Sequence, residues 1–162
     1  MLRCRMNGVM IRALTANDAE DVAALITRAF GAQPVRVEPA PSALRVTEAD
    51  VASVLGSGGG AGAEATDSLL GAVLWEEKDS GLYVSRLSVA PEWRGRGIAA
   101  RLLAAAEDAA RMLGLPRMHL GTRLALEGNR RLFARSGFQE IALHAHPGYV
   151  APTWVEMEKR LC

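Results

Sequence analysis

Cysteine is scarce in this chain: only Cys4 and Cys162 occur, at opposite ends of the 162 residues. That placement excludes a disulfide framework and a thiol-based metal cluster, and it fits a reducing compartment. Lysine is nearly missing as well. Of the 19 basic residues only Lys78 and Lys159 are lysine, an arginine surplus that reads as compositional bias. No sign of charge dominates, since the formal net charge is +1. A general nucleic-acid binder carries a strong basic excess, so that class is set aside. Long apolar runs are also lacking, and none reaches the roughly 18 residues that a membrane span needs. The first ten residues contain Arg3, Cys4, Arg5 and Asn7 and so lack the apolar centre of a signal peptide. The expectations are a cytoplasmic protein with no membrane, nucleic-acid or metal partner, built as one domain over residues 1–162.

What is present is an alternation of strand and helix signals. Met10–Leu14 reads as a first strand. Thr15 stands three residues before Asp18 at a helix start, and Val22, Leu25, Ile26, Ala29 and Phe30 follow at helical spacing until Gly31. Thr47 and Asp50 repeat that offset ahead of Val51, Val54 and Leu55. A connection rich in proline (Pro34, Pro39, Pro41) lies between the two helices. Ser57–Gly62 is glycine-rich and reads as a flexible loop. Gly60–Ala65 formally matches the dinucleotide fingerprint, but no hydrophobic strand leads in and no amphipathic helix leads out.

Stronger signals follow. Leu69–Trp75 and Leu82–Val89 are strands around a turn at Lys78–Gly81, an antiparallel hairpin. A long helix is expected from about Gly97 to Leu113, with Ile98, Leu102, Ala105, Ala109 and Met112 on one face, stopped by Gly114 and Pro116. Met118–Thr122 is a strand, Asn129–Arg135 a short helix closed by Gly137, and Gln139–His144 a strand. The last strand, Trp154–Leu161, turns Val155, Met157 and Leu161 to one side and Glu156, Glu158 and Arg160 to the other. The fold class is α/β (α+β): a mixed, mostly antiparallel sheet flanked by helices. An exposed final strand is expected to offer an edge for a homodimer.

Chemistry concentrates in Leu87-Ser88-Val89-Ala90-Pro91-Glu92-Trp93-Arg94-Gly95-Arg96-Gly97-Ile98-Ala99. A strand ends, a short loop alternates arginine with glycine, and an amphipathic helix begins. The first N–H groups of a helix lack intrahelical partners, and the helix dipole adds positive charge there. Gly95 and Gly97 let the backbone approach a bulky phosphate. Arg94 and Arg96 add charge-assisted hydrogen bonds. This is a pyrophosphate cradle. It is not a P-loop, because the Lys-Ser/Thr pair that reaches a terminal phosphate and magnesium is absent.

These residues resemble the GNAT superfamily of N-acetyltransferases, whose pattern is Arg/Gln-x-x-Gly-x-Gly/Ala after a strand and a Val-x-Pro-like turn. Val89-Ala90-Pro91 and Arg94-Gly95-Arg96-Gly97-Ile98-Ala99 fit it, and Asn129-Arg130-Arg131-Leu132-Phe133-Ala134-Arg135-Ser136-Gly137-Phe138 is similar to the family's short helix with its Gly-Phe ending. The likeness is specific over about residues 69–143, the expected cofactor-binding core. It implies acetyl-CoA as co-substrate, transferring its acetyl group to a primary amine of a small molecule or peptide by direct attack. Leu87, Ser88 and Val89 would pair with the pantetheine arm, Gly95–Ala99 with Arg94 and Arg96 would hold the pyrophosphate, and Asn129 and Phe133 would complete the cofactor set. A backbone N–H near Leu87 would polarise the thioester carbonyl and stabilise its oxyanion.

One departure concerns the acid. Many members of the family carry a tyrosine where this chain has Phe133, which has no proton to give. A thiolate with a pKa near 8.5 leaves tolerably without one. The catalytic acid and base stay open, with Glu76, Tyr83 and Tyr149 as candidates; His144 and His146 read as ordinary loop residues, and His119 as a hydrogen-bonded core residue. The rival readings are a non-catalytic acyl-CoA-binding or regulatory module, and a domain that holds another nucleotide on the same loop.

Overall fold

The structure is a computed structural model that describes residues 5, 6 and 8–161; Cys4 and Cys162 fall outside them. Its strands are β1 (Arg5–Met6), β2 (Val9–Ala13), β3 (Gly59–Ala65), β4 (Ser68–Lys78), β5 (Gly81–Val89), β6 (Arg117–Arg123), β7 (Gln139–His144) and β8 (Trp154–Arg160). Its α-helices are α1 (Ala19–Gly31), α2 (Glu48–Ser57), α3 (Ile98–Met112) and α4 (Glu127–Arg135). The strands form one mixed sheet in the order β1-β2-β3-β4-β5-β6-β8-β7. Every neighbouring pair is antiparallel except β5 with β6.

Both expected helix starts are capping boxes. Thr15 opens a 3-10 turn that leads into α1, its N–H donating to the Asp18 carboxylate at 2.8 Å. Thr47 opens α2, and its hydroxyl accepts from the Asp50 N–H at 3.1 Å. The β4–β5 hairpin turns through Asp79 and Ser80, both with positive φ, as tight hairpin turns demand.

The sheet carries apolar layers on both faces. On one, α3 presses Ile98, Leu102, Leu103, Ala106 and Ala110 onto Leu70, Val73, Leu82 and Met118. On the other, Val22, Leu25 and Ile26 of α1 and Val51 of α2 meet Ala72 and Leu74. A central strand covered on both faces reads as an unbroken apolar run, which is why Leu69–Trp75 shows no alternation.

Three expectations need correction. Ser57–Gly62 is not a flexible loop: α2 runs to Ser57, and Gly59–Ala65 is the strand between β2 and β4. A Cβ on Gly60 would come within 2.7 Å of the Val73 carbonyl oxygen, and one on Gly62 within 2.8 Å of both Leu14 and Leu69. Glycine stands there because its neighbours are large, not because the chain bends. Met112 does not share the buried face of α3 but is 88% exposed; the buried seam runs through Ile98, Leu102, Ala106 and Ala110 and ends before the last turn. The final strand is not an edge. β8 lies between β6 and β7, so the edges are β1 and β7, and a dimer built by pairing β8 with a partner is ruled out.

Candidate active site

The parallel β5–β6 pair makes the site. Its ladder consists of Leu82↔Met118 and Tyr83↔His119. β5 then continues to Val89 and β6 to Arg123 without further rungs, leaving the β6-facing backbone edge of β5 open. The pairing of β5 with β4 skips a residue near Arg86, which takes φ +55. Such a bulge swings the strand and increases its twist. Ser88 Oγ donates to the Arg86 carbonyl at 2.9 Å and holds the kink. The open gap separates two cavities.

The first cavity, about 1060 Å³, is lined by Leu87, Ser88 and Val89 of β5, by Arg94, Gly95, Gly97, Ile98 and Ala99, and by Asn129 and Phe133 of α4. Gly95 and Gly97 both take φ +76, and a Cβ on either would meet nothing within 4 Å. The loop thus needs glycine for its left-handed backbone, and it leaves open space over the first turn of α3. That shape suits a phosphate-bearing ligand on unpartnered amides.

Ten of the eleven residues expected to hold the cofactor line this cavity, and Arg96 does not. Its guanidinium lies over the Trp93 ring, 4.5 Å from the centroid. Arg94 lines the cavity but donates from Nη2 to the Ala29 carbonyl at 2.8 Å, closing the end of α1. Phe133 is buried and meets Phe138 edge to face at 6.0 Å.

The second cavity, about 830 Å³, lies on the other side of the gap and shares Phe30, Gln33, Leu87, Leu126, Asn129 and Phe133 with the first. Glu76 and Tyr83 line it as direct cross-strand partners. The Tyr83 ring packs on His119, whose Nε2 bonds the Lys78 carbonyl at 2.8 Å, a core role as expected. Tyr149 is not among the lining residues; it sits edge-on to His146 at 6.4 Å.

His146 has more than the expected loop role. It lines the second cavity, hydrogen-bonded through Nδ1 to Thr153 Oγ1. Burial, and then the charge of Arg123, push its imidazole below the usual histidine value, so the ring is neutral at neutral pH. His144 instead stacks on Trp154 at 4.2 Å, with Nε2 3.5 Å from a Glu156 oxygen. Gln33, Arg45 and Arg123 also line this cavity without having signalled it in the sequence. Each comes from a connection or a strand end, and only the fold brings them together.

Among the described residues there is no cluster of histidine, cysteine and carboxylate able to hold a metal, and no helix long and apolar enough to cross a membrane.

Residues 23–138 match the profile of the acetyltransferase (GNAT) family. No protein of curated function matches the sequence. Among solved structures, the chain is similar to PaiA N-acetyltransferase from Thermoplasma acidophilum in complex with coenzyme A (TM-score 0.77, 19% identity, 94% of this chain and 99% of that one). It is also similar to the ribosomal-protein-S18-alanine N-acetyltransferase from Escherichia coli (TM-score 0.76, 16% identity, 94% and 93%). A third likeness is to yncA from Salmonella typhimurium with its cofactor acetyl-CoA (TM-score 0.71, 18% identity, 96% and 95%). At these identities the structures bear on the fold, and the family profile bears on membership.

Proposed function

This chain belongs to the GNAT family of acetyltransferases, and on that footing we propose that it transfers an acetyl group from acetyl-CoA to a primary amine of a small molecule or peptide. The observation that carries the reading is the meeting of two cavities at Leu87, Asn129 and Phe133, beside the open edge of β5. One cavity has phosphate-binding chemistry and the other has proton-accepting side chains.

When bound, acetyl-CoA supplies an acyl group on a thioester, reactive toward an amine without a protein nucleophile. The residues of this chain then bind and orient. The free backbone edge at Leu87, Ser88 and Val89 would take the pantetheine arm as an added strand. The amides of Gly95, Gly97, Ile98 and Ala99 would hold the pyrophosphate at the start of α3, with Arg94 adding charge while it ties the loop to α1. Arg96 acts from beside Trp93, adding to the local positive field. The N–H groups about Leu87 would polarise the carbonyl.

An alkylammonium with a pKa near 10.4 must lose a proton before it attacks. Glu76 and the neutral His146 both border the second cavity and are our choices for the acceptor of that proton, with Tyr83 beside Glu76. Phe133 packs rather than protonates, so the departing thiolate leaves unassisted by α4. With acetyl-CoA as donor, the cytoplasm is the compartment we propose.

A panel of primary amines, read by release of free CoA thiol, tests the reading. Transfer above the rate of acetyl-CoA alone is expected. Acetyl-CoA binding with no transfer to any amine would favour the second reading that Phe133 supports, a non-catalytic acyl-CoA-binding module.

A further inference from the structure

Several arginines that reach other elements have carboxylate partners. Arg12 pairs with Asp18 and Glu64, Arg28 with Glu92, Arg117 with Glu158 and Arg130 with Glu140. The three arginines of the second cavity differ. Among the described residues, none of Arg45, Arg86 and Arg123 has a carboxylate within salt-bridge distance, although all three line the cavity.

Arg123 is the most telling of the three. It is half-buried at the end of β6, and burial lowers its guanidinium from the usual value, an effect that the nearby Tyr149 opposes only in part. Nη1 donates to the Pro39 carbonyl at 2.7 Å, which fixes the side chain on the proline-rich connection. One hydrogen bond to a neutral oxygen leaves most of its five donors uncommitted. A partly buried cation costs free energy unless it meets an anion.

Its place relative to the reaction is set by the strands. From the last β5–β6 rung, Tyr83↔His119, an equal number of steps leads to Leu87 on β5 and to Arg123 on β6. Arg123 and Leu87, where the two cavities meet, both line the second cavity beyond the last rung. Arg86 stands on the same bulge, donating to Ser42 Oγ at 3.0 Å. The anionic groups on this wall are Asp50, which accepts from the Thr47 N–H and also feels the charge of Arg86, and Glu76. The cavity thus offers a carboxylate-accepting group in Arg123 and an amine-accepting group in Glu76.

We propose that the acceptor carries a carboxylate close to its amine, as an amino acid does, and that Arg123, supported by Arg45 and Arg86, binds that carboxylate. The proposal rests on the acetyltransferase reading above. The Nη1 bond to Pro39 fixes the guanidinium and leaves its Nε–Nη2 edge to take a planar carboxylate side-on.

The test compares acids with their decarboxylated counterparts: leucine against isoamylamine, phenylalanine against phenethylamine, with O-phosphoethanolamine as a phosphate-bearing control. The acid of each pair is expected to be preferred by about tenfold or more in kcat/KM, the range of a charge-assisted hydrogen bond. R123A should collapse that preference through KM for the acid, and R123K should keep part of it. Acetyl-CoA affinity, measured by calorimetry, reports whether the variant is folded, and R45A serves as the second variant. Equal or better transfer to the plain amines overturns this inference and leaves the transferase reading standing. Preference for O-phosphoethanolamine over both amino acids overturns the carboxylate assignment. Absence of transfer to every acceptor, with acetyl-CoA bound or not, overturns both.

Discussion

Arg94 of the glycine loop donates from Nη2 to the carbonyl oxygen of Ala29, 2.8 Å away and 65 residues earlier in the chain. The residue that most resembles a phosphate ligand in the family pattern is therefore also a clamp on the end of α1. It satisfies a carbonyl that the helix terminus leaves unpaired. R94A should lower stability by about 1 kcal/mol, a fall in Tm of roughly 2–4 °C for a chain of this size, together with weaker acetyl-CoA binding. A pure phosphate ligand would lower affinity and leave Tm in place. Thermal melts of the ligand-free protein separate the two.

Gly97 answers to a different constraint. Its φ is +76 and a Cβ would project into open space, so replacement strains the backbone without a clash. Gly97→Leu should cost about 1–2 kcal/mol of stability, a modest loss, while filling the room above the first amides of α3. Calorimetry is expected to show acetyl-CoA binding abolished. Unchanged affinity would remove the pyrophosphate role from this loop.

Gly62 in β3 makes the opposite case. A Cβ there falls 2.8 Å from side-chain carbons of both Leu14 and Leu69. Strand propensity alone says that valine should strengthen β3. Packing says that Gly62→Val should destabilise the fold by roughly 1–3 kcal/mol, and packing decides in a buried strand. Urea titration gives the sign.

The His146 ring is held below its ordinary value by burial and by Arg123. The unfolded chain takes up this proton at higher pH than the folded one does. The stabilisation is therefore complete above the unfolded value of about 6.5 and fades as pH falls through the lower, folded value. Between about pH 7.5 and about pH 5, the wild type should lose more stability than H146N. Parallel pH slopes in the two proteins would contradict the shift.

Legibility in the sequence followed the range of the cause. Thr15 and Thr47 announce helix starts because the capping partner is three residues away. The β4–β5 hairpin and the glycine loop that leads into α3 are likewise written in one contiguous stretch. β3 was hidden because the reason for its glycines and alanines lies in Leu14, Leu69 and Val73, on other strands. Helical spacing continues to Met112, past the point where the buried seam of α3 ends, so spacing alone puts it on the wrong face. The second cavity was least visible. Its members come from the proline-rich connection, the bulge at Arg86, the end of β6 and the loop at His146, and no local pattern links them.

The two-rung ladder between β5 and β6 bears on how the protein responds to heat. Eight strands are carried by one sheet, yet at its middle the backbone hydrogen bonds run out after Tyr83 and His119. A ligand arm laid along the free edge of β5 would act there as a missing piece of masonry, bracing the two halves against each other. Resistance to melting should then climb with the logarithm of ligand concentration, as mass action requires of anything that binds only the folded chain. Measured on its own, the protein would show its weaker form.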